Sequence, residues 1–208
     1  LTAGMASGNN GEVYMITTSD HIYRWNGGSW SSIKFNLPAL VRAVVVGPDG
    51  LVYAGCFNSG VYVFNGNNSW TTLGAMPNSF VTRMVISSTN MLFVACNSNN
   101  IYRIPASGGS WTSINTGLPA SNATAMGIDG NNHIFLTYLI NNYGNIYLSS
   151  NNGDSWSVVS SDLYTGQFLG FTSDAGGNDY LCGSGVYKSS TGGTSWQDMN
   201  PGLDARKA

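Results

Sequence analysis

Charged residues are scarce in this 208-residue sequence, and their scarcity excludes several classes of partner. Asp, Glu, Lys and Arg make up 9% of the chain, against roughly 25% in an average soluble protein. With a formal net charge of −2, the chain offers no electrostatic reason to bind nucleic acid or an anionic membrane surface. Gly, Asn, Ser and Thr replace the charged residues, which favours an extracellular or periplasmic protein.

Long apolar runs are also missing. No apolar stretch approaches the roughly 18 residues that a membrane-spanning helix requires, so we expect no membrane insertion. The chain begins at Leu1 without a signal peptide, which predicts a processed or trimmed chain. A fragment or an engineered scaffold whose function was never selected is one alternative that remains open.

Residues that bind metals or phosphate are few. The two histidines, His21 and His133, lack a Cys or Asp at metal-ligand spacing. No Gly-rich stretch is followed by the Lys-Ser/Thr pair or the helix that phosphate binding requires. The sequence therefore predicts no metal site and no cofactor.

A short sequence motif occurs five times along the chain: Ile or Val before Tyr, and then Ser before Trp several residues later. The five copies are Ile22-Tyr23 with Ser29-Trp30, Val61-Tyr62 with Ser69-Trp70, Ile101-Tyr102 with Ser110-Trp111, Ile146-Tyr147 with Ser155-Trp156, and Val186-Tyr187 with Ser195-Trp196. Successive tyrosines are 39, 40, 45 and 40 residues apart. Such a period, with only strand and turn signals in each unit, is typical of β-propeller blades.

The second repeat shows the plan of one blade. Four strand-like runs are separated by short turns, and they cover Val41–Val46, Leu51–Cys56, Val61–Phe64 and Trp70–Leu73. The first run is strongly apolar, which favours an innermost strand packed on both faces. Asp49-Gly50 tolerates positive φ and closes a tight hairpin. The sequence therefore predicts an all-β fold, a five-bladed β-propeller of four-stranded antiparallel blades.

Five repeats of about 40 residues account for the length of the chain, so we predict no second domain. We expect one propeller over residues 1–203 and a C-terminal tail over residues 204–208. The predicted blades cover about residues 1–38, 39–77, 78–119, 120–163 and 164–203, with limits near Pro38, Pro77, Pro119 and Leu163. Because the chain begins at an inner strand and ends just after an outer strand near Leu203, we expect closure without strand exchange.

The three cysteines predict no disulfide. Cys56 and Cys96 occupy equivalent positions in neighbouring repeats, too far apart for the roughly 4.4–6.8 Å between Cα atoms that a disulfide needs. Cys182 falls near the same place in the last repeat. We therefore expect three small buried hydrophobic residues.

Two repeats carry a recognisable pattern before the outer strand. Ser149–Trp156 and Ser189–Trp196 resemble the Asp-box, or bacterial neuraminidase repeat, which reads Ser/Thr-x-Asp-x-Gly-x-Thr/Ser-Trp. Asn151 and Thr191 replace the Asp, and the first three repeats keep only the Ser-Trp end. The resemblance implies a propeller hairpin in which polar residues satisfy backbone groups of the turn and Trp packs between blades.

A looser resemblance concerns the second repeat. Val44–Ala54 followed by Gly60-Val61-Tyr62 is similar to a blade of the tachylectin-type lectins. That resemblance implies a five-bladed propeller that binds N-acetylated sugars between blades. It favours a sugar-binding role without identifying the contacts.

Enzyme chemistry finds little support among the charged residues. A sialidase needs an arginine cluster and a Tyr-Glu pair, whereas Glu12 is the one glutamate and the arginines recur at repeat positions. Glycosidase chemistry needs two close acids in a cleft, and most aspartates lie in predicted turns. Asp129 and Asp174, at the ends of inner strands in adjacent repeats, are the pair expected to face each other. A hydrolase or lyase with carboxylates at the central opening remains an alternative.

The leading hypothesis is a non-catalytic, lectin-like binding module with a glycan ligand, and a protein-interaction platform is the alternative. Repeated positions serve packing, so contacts are expected where repeats differ, notably the extra residues Leu139–Asn145 between the second and third strands. Loops at this place in four repeats supply the candidate ligand-binding residues, Asn58, Asn99, Asn141, Asn142, Tyr143 and Ser184. Amides donate and accept hydrogen bonds together, which suits sugar hydroxyls, and Tyr143 offers a flat face to a pyranose ring.

Overall fold

The computed structural model describes residues 2–19, 21–34, 36–38, 40–160 and 166–201. Blade 1 contains β1 (Thr2–Ser7), β2 (Val13–Thr17), β3 (Ile22–Trp25) and β4 (Trp30–Ser32). Blade 2 contains β5 (Val41–Val46), β6 (Val52–Cys56), β7 (Gly60–Phe64) and β8 (Trp70–Thr72). Blade 3 contains β9 (Val81–Ile86), β10 (Met91–Cys96), β11 (Ile101–Pro105) and β12 (Thr112–Ser113). Blade 4 contains β13 (Ala125–Ile128), β14 (Ile134–Ile140), β15 (Tyr143–Ser149) and β16 (Ser157–Ser160). Blade 5 contains β17 (Phe168–Ser173), β18 (Asp179–Gly183), β19 (Val186–Ser189) and β20 (Gln197–Asp198).

Each blade is one antiparallel sheet of four strands that are consecutive in the sequence. The predicted fold class, five four-stranded antiparallel blades of a β-propeller, is therefore confirmed. No described sheet combines strands from the two ends of the chain, as the prediction of no strand exchange requires. Within the described ranges no residue is helical, so these ranges hold no helix long and apolar enough to cross a membrane.

The chain divides into two compact units. Unit 1 is Leu1–Ser113 and contains blades 1 to 3, and unit 2 is Ile114–Ala208 and contains blades 4 and 5. The predicted limits of the single domain, its blades and its tail stay predictions. The blade limit at Leu163 and the last strand's end near Leu203 lie outside the described residues.

In blade 2 the second strand, and not the first, is the most buried. All five residues of β6 are buried, whereas β5 alternates and exposes Arg42. The second strand has hydrogen-bonded neighbours on both edges, and both of its faces are covered, so its side chains are sequestered from water. The prediction that the first strand packs on both faces is therefore wrong.

The cysteines follow this burial pattern in part. All three are free, so the expected absence of a disulfide agrees with the structure. Cys56 and Cys96 end the buried second strands, and burial raises the pKa of Cys96 to about 12. Cys182 is exposed, and the prediction that it is buried is wrong.

Carboxylates close the first turn of several blades. Asp49 Oδ1 accepts from the Leu51 amide at 3.0 Å, and Asp129 Oδ1 accepts from the His133 amide at 2.7 Å. Asp174 Oδ1 accepts from the Asn178 amide at 2.9 Å. Hydrogen bonds, first from the Asn178 backbone, lower the pKa of Asp174 to about 2. These aspartates are turn caps, as most aspartates were expected to be.

Indole N–H groups fix the outer strands in place. In unit 1, Trp70 of blade 2 is 3% exposed, and its Nε1 donates to the carbonyl oxygen of Ile33, next to β4 of blade 1, at 2.7 Å. In unit 2, Trp156 Nε1 donates to the carbonyl oxygen of Ile114 at 2.8 Å. Trp111 Nε1 is buried without a hydrogen-bond partner among the described residues. The expected packing of Trp between blades is confirmed for Trp70.

Polar side chains shape the hairpin before the outer strand of blades 4 and 5. In blade 4, Ser149 Oγ accepts from the Gly153 amide at 2.8 Å, and Asn151 Oδ1 accepts from the Ser155 amide at 3.0 Å. In blade 5 the corresponding bonds join Gly193 N to Ser189 Oγ and Ser195 N to Thr191 Oγ1, both at 2.9 Å. Asn151 and Thr191 thus satisfy the turn's backbone donors, which is a structural role.

Candidate binding site

The candidate asparagines lie in turns for a conformational reason. Asn58, Asn99, Asn141 and Asn142 have φ values of 65°, 61°, 51° and 69°. Asparagine is among the few non-glycine residues that tolerate this left-handed region. Their identity is therefore explained by the backbone of the turn, whether or not their amides contact a ligand, and their role as ligand contacts stays a prediction.

The extra residues of blade 4 form a hairpin and not a loop. β14 and β15 pair up to Ile140 opposite Tyr143, so that only Asn141 and Asn142 form the turn. With positive φ at both positions, the turn resembles the two-residue type I′ geometry that suits twisted hairpins. The insertion therefore lengthens two strands and carries Tyr143, 39% exposed, at their tip.

Within unit 2 the backbone brings two predicted regions together. The carbonyl oxygen of Asn142 accepts from the Gly166 amide at 2.9 Å, and the Ser184 amide donates to the carbonyl oxygen of Gln167 at 3.3 Å. The β14–β15 and β18–β19 turns thus meet the same short segment before β17. These are backbone contacts, and they hold the two turns beside one segment of the chain.

One predicted ligand-binding residue of unit 1, Asn58, lines a cleft. Asn58 lies in the β6–β7 turn and lines a cleft of about 530 Å³, here called the blade 2 cleft. The cleft is lined by Lys34, Leu37, Pro38, Leu40, Phe57, Asn58 and Ser59. The first four come from the connection between blades 1 and 2, and the last three come from the turn. The volume lies in the usual range of ligand pockets, about 300–1,000 Å³.

Backbone hydrogen bonds frame the blade 2 cleft. The Phe57 amide donates to the carbonyl oxygen of Leu40 at 2.8 Å, which ties the turn to the start of its own blade. The Ser59 and Gly60 amides donate to the carbonyl oxygen of Ser79 at 3.1 Å and 3.0 Å, which ties it to the next blade. A site held by such bonds keeps its shape before a ligand arrives, and this lowers the entropic cost of binding.

Aromatic and cationic side chains adjoin Phe57 of the cleft lining, and these neighbours, together with Leu40, are here called the rim of the cleft. The Phe57 and Phe80 rings meet edge to face, with centroids 5.0 Å apart at 86°. The guanidinium carbon of Arg42 lies 5.5 Å from the centroid of Phe57, within the usual cation–π range. Leu40 and Phe80 are each 37% exposed. The rim therefore combines a cation with apolar surface that water contacts.

The cleft has a positive electrostatic character. Neither Lys34 nor Arg42 forms an ion pair with any acid in the described part of the chain. The described acids of unit 1 are Glu12, which precedes β2, and Asp49, in the β5–β6 turn, both at the opposite ends of the strands. Glu12 is already paired with Arg24 across blade 1. Attraction for an anion at the cleft is thus not cancelled locally by a described carboxylate.

A second polar cluster lies in unit 2 and has a structural character. Asp129 Oδ2 lies 2.8 Å from His133 Nδ1, so the histidine does have a carboxylate neighbour that the sequence reasoning missed. Asp179 is 1% exposed; Ser173 Oγ donates to its Oδ1 at 2.7 Å, while Oδ2 has no partner among the described residues. Burial, opposed by the Ser173 bond, raises the pKa of Asp179. A carboxyl group so enclosed is out of reach of a substrate.

The expected pairing of Asp129 with Asp174 stays a prediction, although both carboxylates lie near enough to Asp179 for their charges to raise its pKa. Asp174 bonds to Asn178 and to Tyr180 Oη, and Asp129 bonds to its own turn and to His133. Both carboxylates are therefore engaged in local turn structure. Among the described residues no group of three His, Cys, Asp or Glu side chains is placed to hold a metal ion.

Comparison with known proteins shows the fold and nothing finer. Neither a protein-family model nor a curated protein matches this chain. A solved structure of catalytically inactive virginiamycin B lyase from Staphylococcus aureus with quinupristin is 18% identical, with a TM-score of 0.78 over 93% of this chain and 68% of that one. YCF48 bound to D1 peptide is 18% identical, with a TM-score of 0.71 over 98% and 68%. A chain of the nidogen–laminin complex is 13% identical, with a TM-score of 0.75 over 95% and 78%.

Proposed function

We propose that this chain is a non-catalytic binding module that holds a peptide or protein segment in the blade 2 cleft. The observation that carries the proposal is the framed cleft of about 530 Å³ with Leu40 and Phe80 exposed at its rim. Exposed apolar groups beside a preformed concave surface are typical of sites for apolar anchors of a partner. Among the described residues that line the cleft, Lys34 is the one charged group, and the others offer apolar, amide and hydroxyl contacts, which suit binding.

Two of the similar structures support a partner of this class. YCF48 was solved with a D1 peptide, and another similar chain was solved in the nidogen–laminin complex. The propeller fold therefore serves peptide and protein recognition in those proteins. At these identities the likeness concerns the fold, and the cleft of this chain carries the argument.

Glycan binding is the second candidate function. Asn58 and Ser59 place an amide and a hydroxyl beside the Phe57 ring in the same cleft, a combination that suits sugar hydroxyls and a sugar face. The ligand-binding role predicted for Asn142 and Tyr143 is tested with Asn142→Gly combined with Tyr143→Ala. Alanine at Asn142, with φ of 69°, would strain the turn, whereas Asn142→Gly keeps that backbone.

Parallel peptide and glycan arrays test the proposal. We expect peptide hits, and we expect Leu40→Ala with Phe80→Ala to weaken them about tenfold or more because apolar anchors lose their contacts. Tyr143→Ala is the matched control, since it removes an equally exposed aromatic ring (39%) from unit 2. Thermal unfolding of each variant excludes loss of structure.

Two results would overturn the proposal. Peptide hits that the Leu40/Phe80 variant binds as well as the parent would remove the cleft as their site. Glycan hits alone, weakened by Asn142→Gly with Tyr143→Ala, would instead support the lectin-like function at the β14–β15 turn.

A further inference from the structure

We infer that the blade 2 cleft selects a segment in which a carboxylate stands next to an apolar side chain, an inference that rests on the proposed function. The cleft offers two kinds of partner group side by side. Lys34 and Arg42 provide cations, and Leu40 and Phe80 provide apolar contact. An acidic residue and a neighbouring large apolar residue present the two matching kinds of group.

Arg42 is held in a way that leaves it able to bind an anion. Its guanidinium lies over the Phe57 ring, 5.5 Å from the centroid. A guanidinium held by a ring face keeps its in-plane N–H donors available for a carboxylate, and the held geometry reduces the rotamer entropy lost on binding. Arg42 is exposed and has no ion pair with a described acid.

The apolar side chains at the cleft favour a peptide ligand over a sugar acid. Leu40 and Phe80 flank Phe57: the Phe57 amide is bonded to the Leu40 carbonyl group, and the Phe80 ring touches the Phe57 ring. Covering these two 37% exposed side chains requires an aliphatic or aromatic group. A leucine or phenylalanine side chain supplies it, whereas a uronic acid carries hydroxyl groups on most of its ring carbons.

The charge contrast within unit 1 strengthens the selection. Its described carboxylates, Glu12 and Asp49, lie at the opposite ends of the strands. Neither of these two described carboxylates therefore lies at the cleft end, where Lys34 and Arg42 attract an acidic segment. Since both cations are solvent-accessible, this attraction should weaken as salt is raised.

The test uses NMR titration of the full chain with four capped peptides that differ at two adjacent positions: Asp-Leu, Asn-Leu, Asp-Ser and Lys-Leu. We expect the Asp-Leu peptide to bind at least about fivefold more tightly than each of the others at low salt, with amide shifts at Phe57 and Phe80. Lys34→Gln with Arg42→Gln should abolish the preference for Asp-Leu over Asn-Leu while leaving Asn-Leu affinity unchanged. Lys188→Gln is the matched control, because it removes another ring-stacked cation, over Tyr180 in unit 2.

The possible outcomes distinguish a failure of this inference from a failure of the proposed function. Equal binding of Asp-Leu and Asn-Leu at the cleft overturns the charge selection and leaves the peptide-binding proposal intact. No shift with any of the four peptides overturns both. Binding of methyl glucuronide at Phe57, with no binding of Asp-Leu, assigns the cations to an acidic sugar and overturns the peptide class.

Discussion

Trp70→Ala is expected to lower the free energy of unfolding by about 3–5 kcal/mol, the range for large aromatic truncations in a core. The indole is 3% exposed, packs on Phe64 with ring centroids 5.0 Å apart, and donates to Ile33 across the boundary between blades 1 and 2. Removing it leaves a cavity and an unpartnered carbonyl group. Denaturant unfolding followed by circular dichroism measures the change.

Trp30→Ala provides the matched control. Trp30 has the corresponding place at the start of β4, but it is 45% exposed and makes a tilted ring contact with Trp25 at 5.6 Å. Its truncation should cost about 1 kcal/mol or less. Equal costs for the two variants, or no cost at Trp70, would contradict the assigned burial and reopen these rings as ligand-stacking residues.

Gly127→Ala is expected to destabilise the protein by about 3 kcal/mol, at the upper end of overpacking effects. A Cβ atom at Gly127 would lie 2.0 Å from the Phe171 ring and 2.6 Å from the Phe171 Cβ atom. Phe171 has little freedom to move away because its ring stacks on Phe135 at 4.7 Å. The clash therefore forces β13 and β17 apart, and thermal unfolding should show a lowered midpoint.

Gly130→Ala controls for the general effect of replacing glycine. A Cβ atom there meets no heavy atom within 4 Å, and the residue does not have positive φ. The expected change lies between zero and a gain of up to about 1 kcal/mol, through the reduced freedom of the unfolded chain. Phe171→Leu combined with Gly127→Ala should recover part of the loss. A neutral Gly127→Ala variant would show that blades 4 and 5 do not approach as closely as described.

The period of the repeats was sufficient to predict the blades, because each repeat must bury its own strands and the same residue types recur where the same contacts recur. Asp49, with its turn glycine Gly50, predicted a tight turn, and its carboxylate does cap it. Periodicity does not distinguish a loop from a longer hairpin. The prediction of a loop at the blade 4 insertion is therefore wrong, since Asn141 and Asn142 suit a loop and a two-residue hairpin turn equally well.

The cleft could not be predicted by the same reasoning, because it combines residues from a connection, a turn and the start of the next blade. One signal was present in the sequence. Forty residues after Arg42 and Phe57, the corresponding positions of blade 3 hold Thr82 and Asn97. These differences between blades 2 and 3 mark a cation on β5 and an aromatic ring in the β6–β7 turn, and the fold brings the two together.

The central claim is that binding occurs at the blade 2 cleft, and hydrogen–deuterium exchange tests it most directly. The chain is compared with and without the strongest array hit at saturation, resolved by peptide fragment. The account predicts slower exchange over residues 57–60 and 78–80, with residues 141–143 and Ser184 unchanged. Slower exchange confined to residues 141–143 or Ser184 would contradict it and place the ligand on the turns of unit 2.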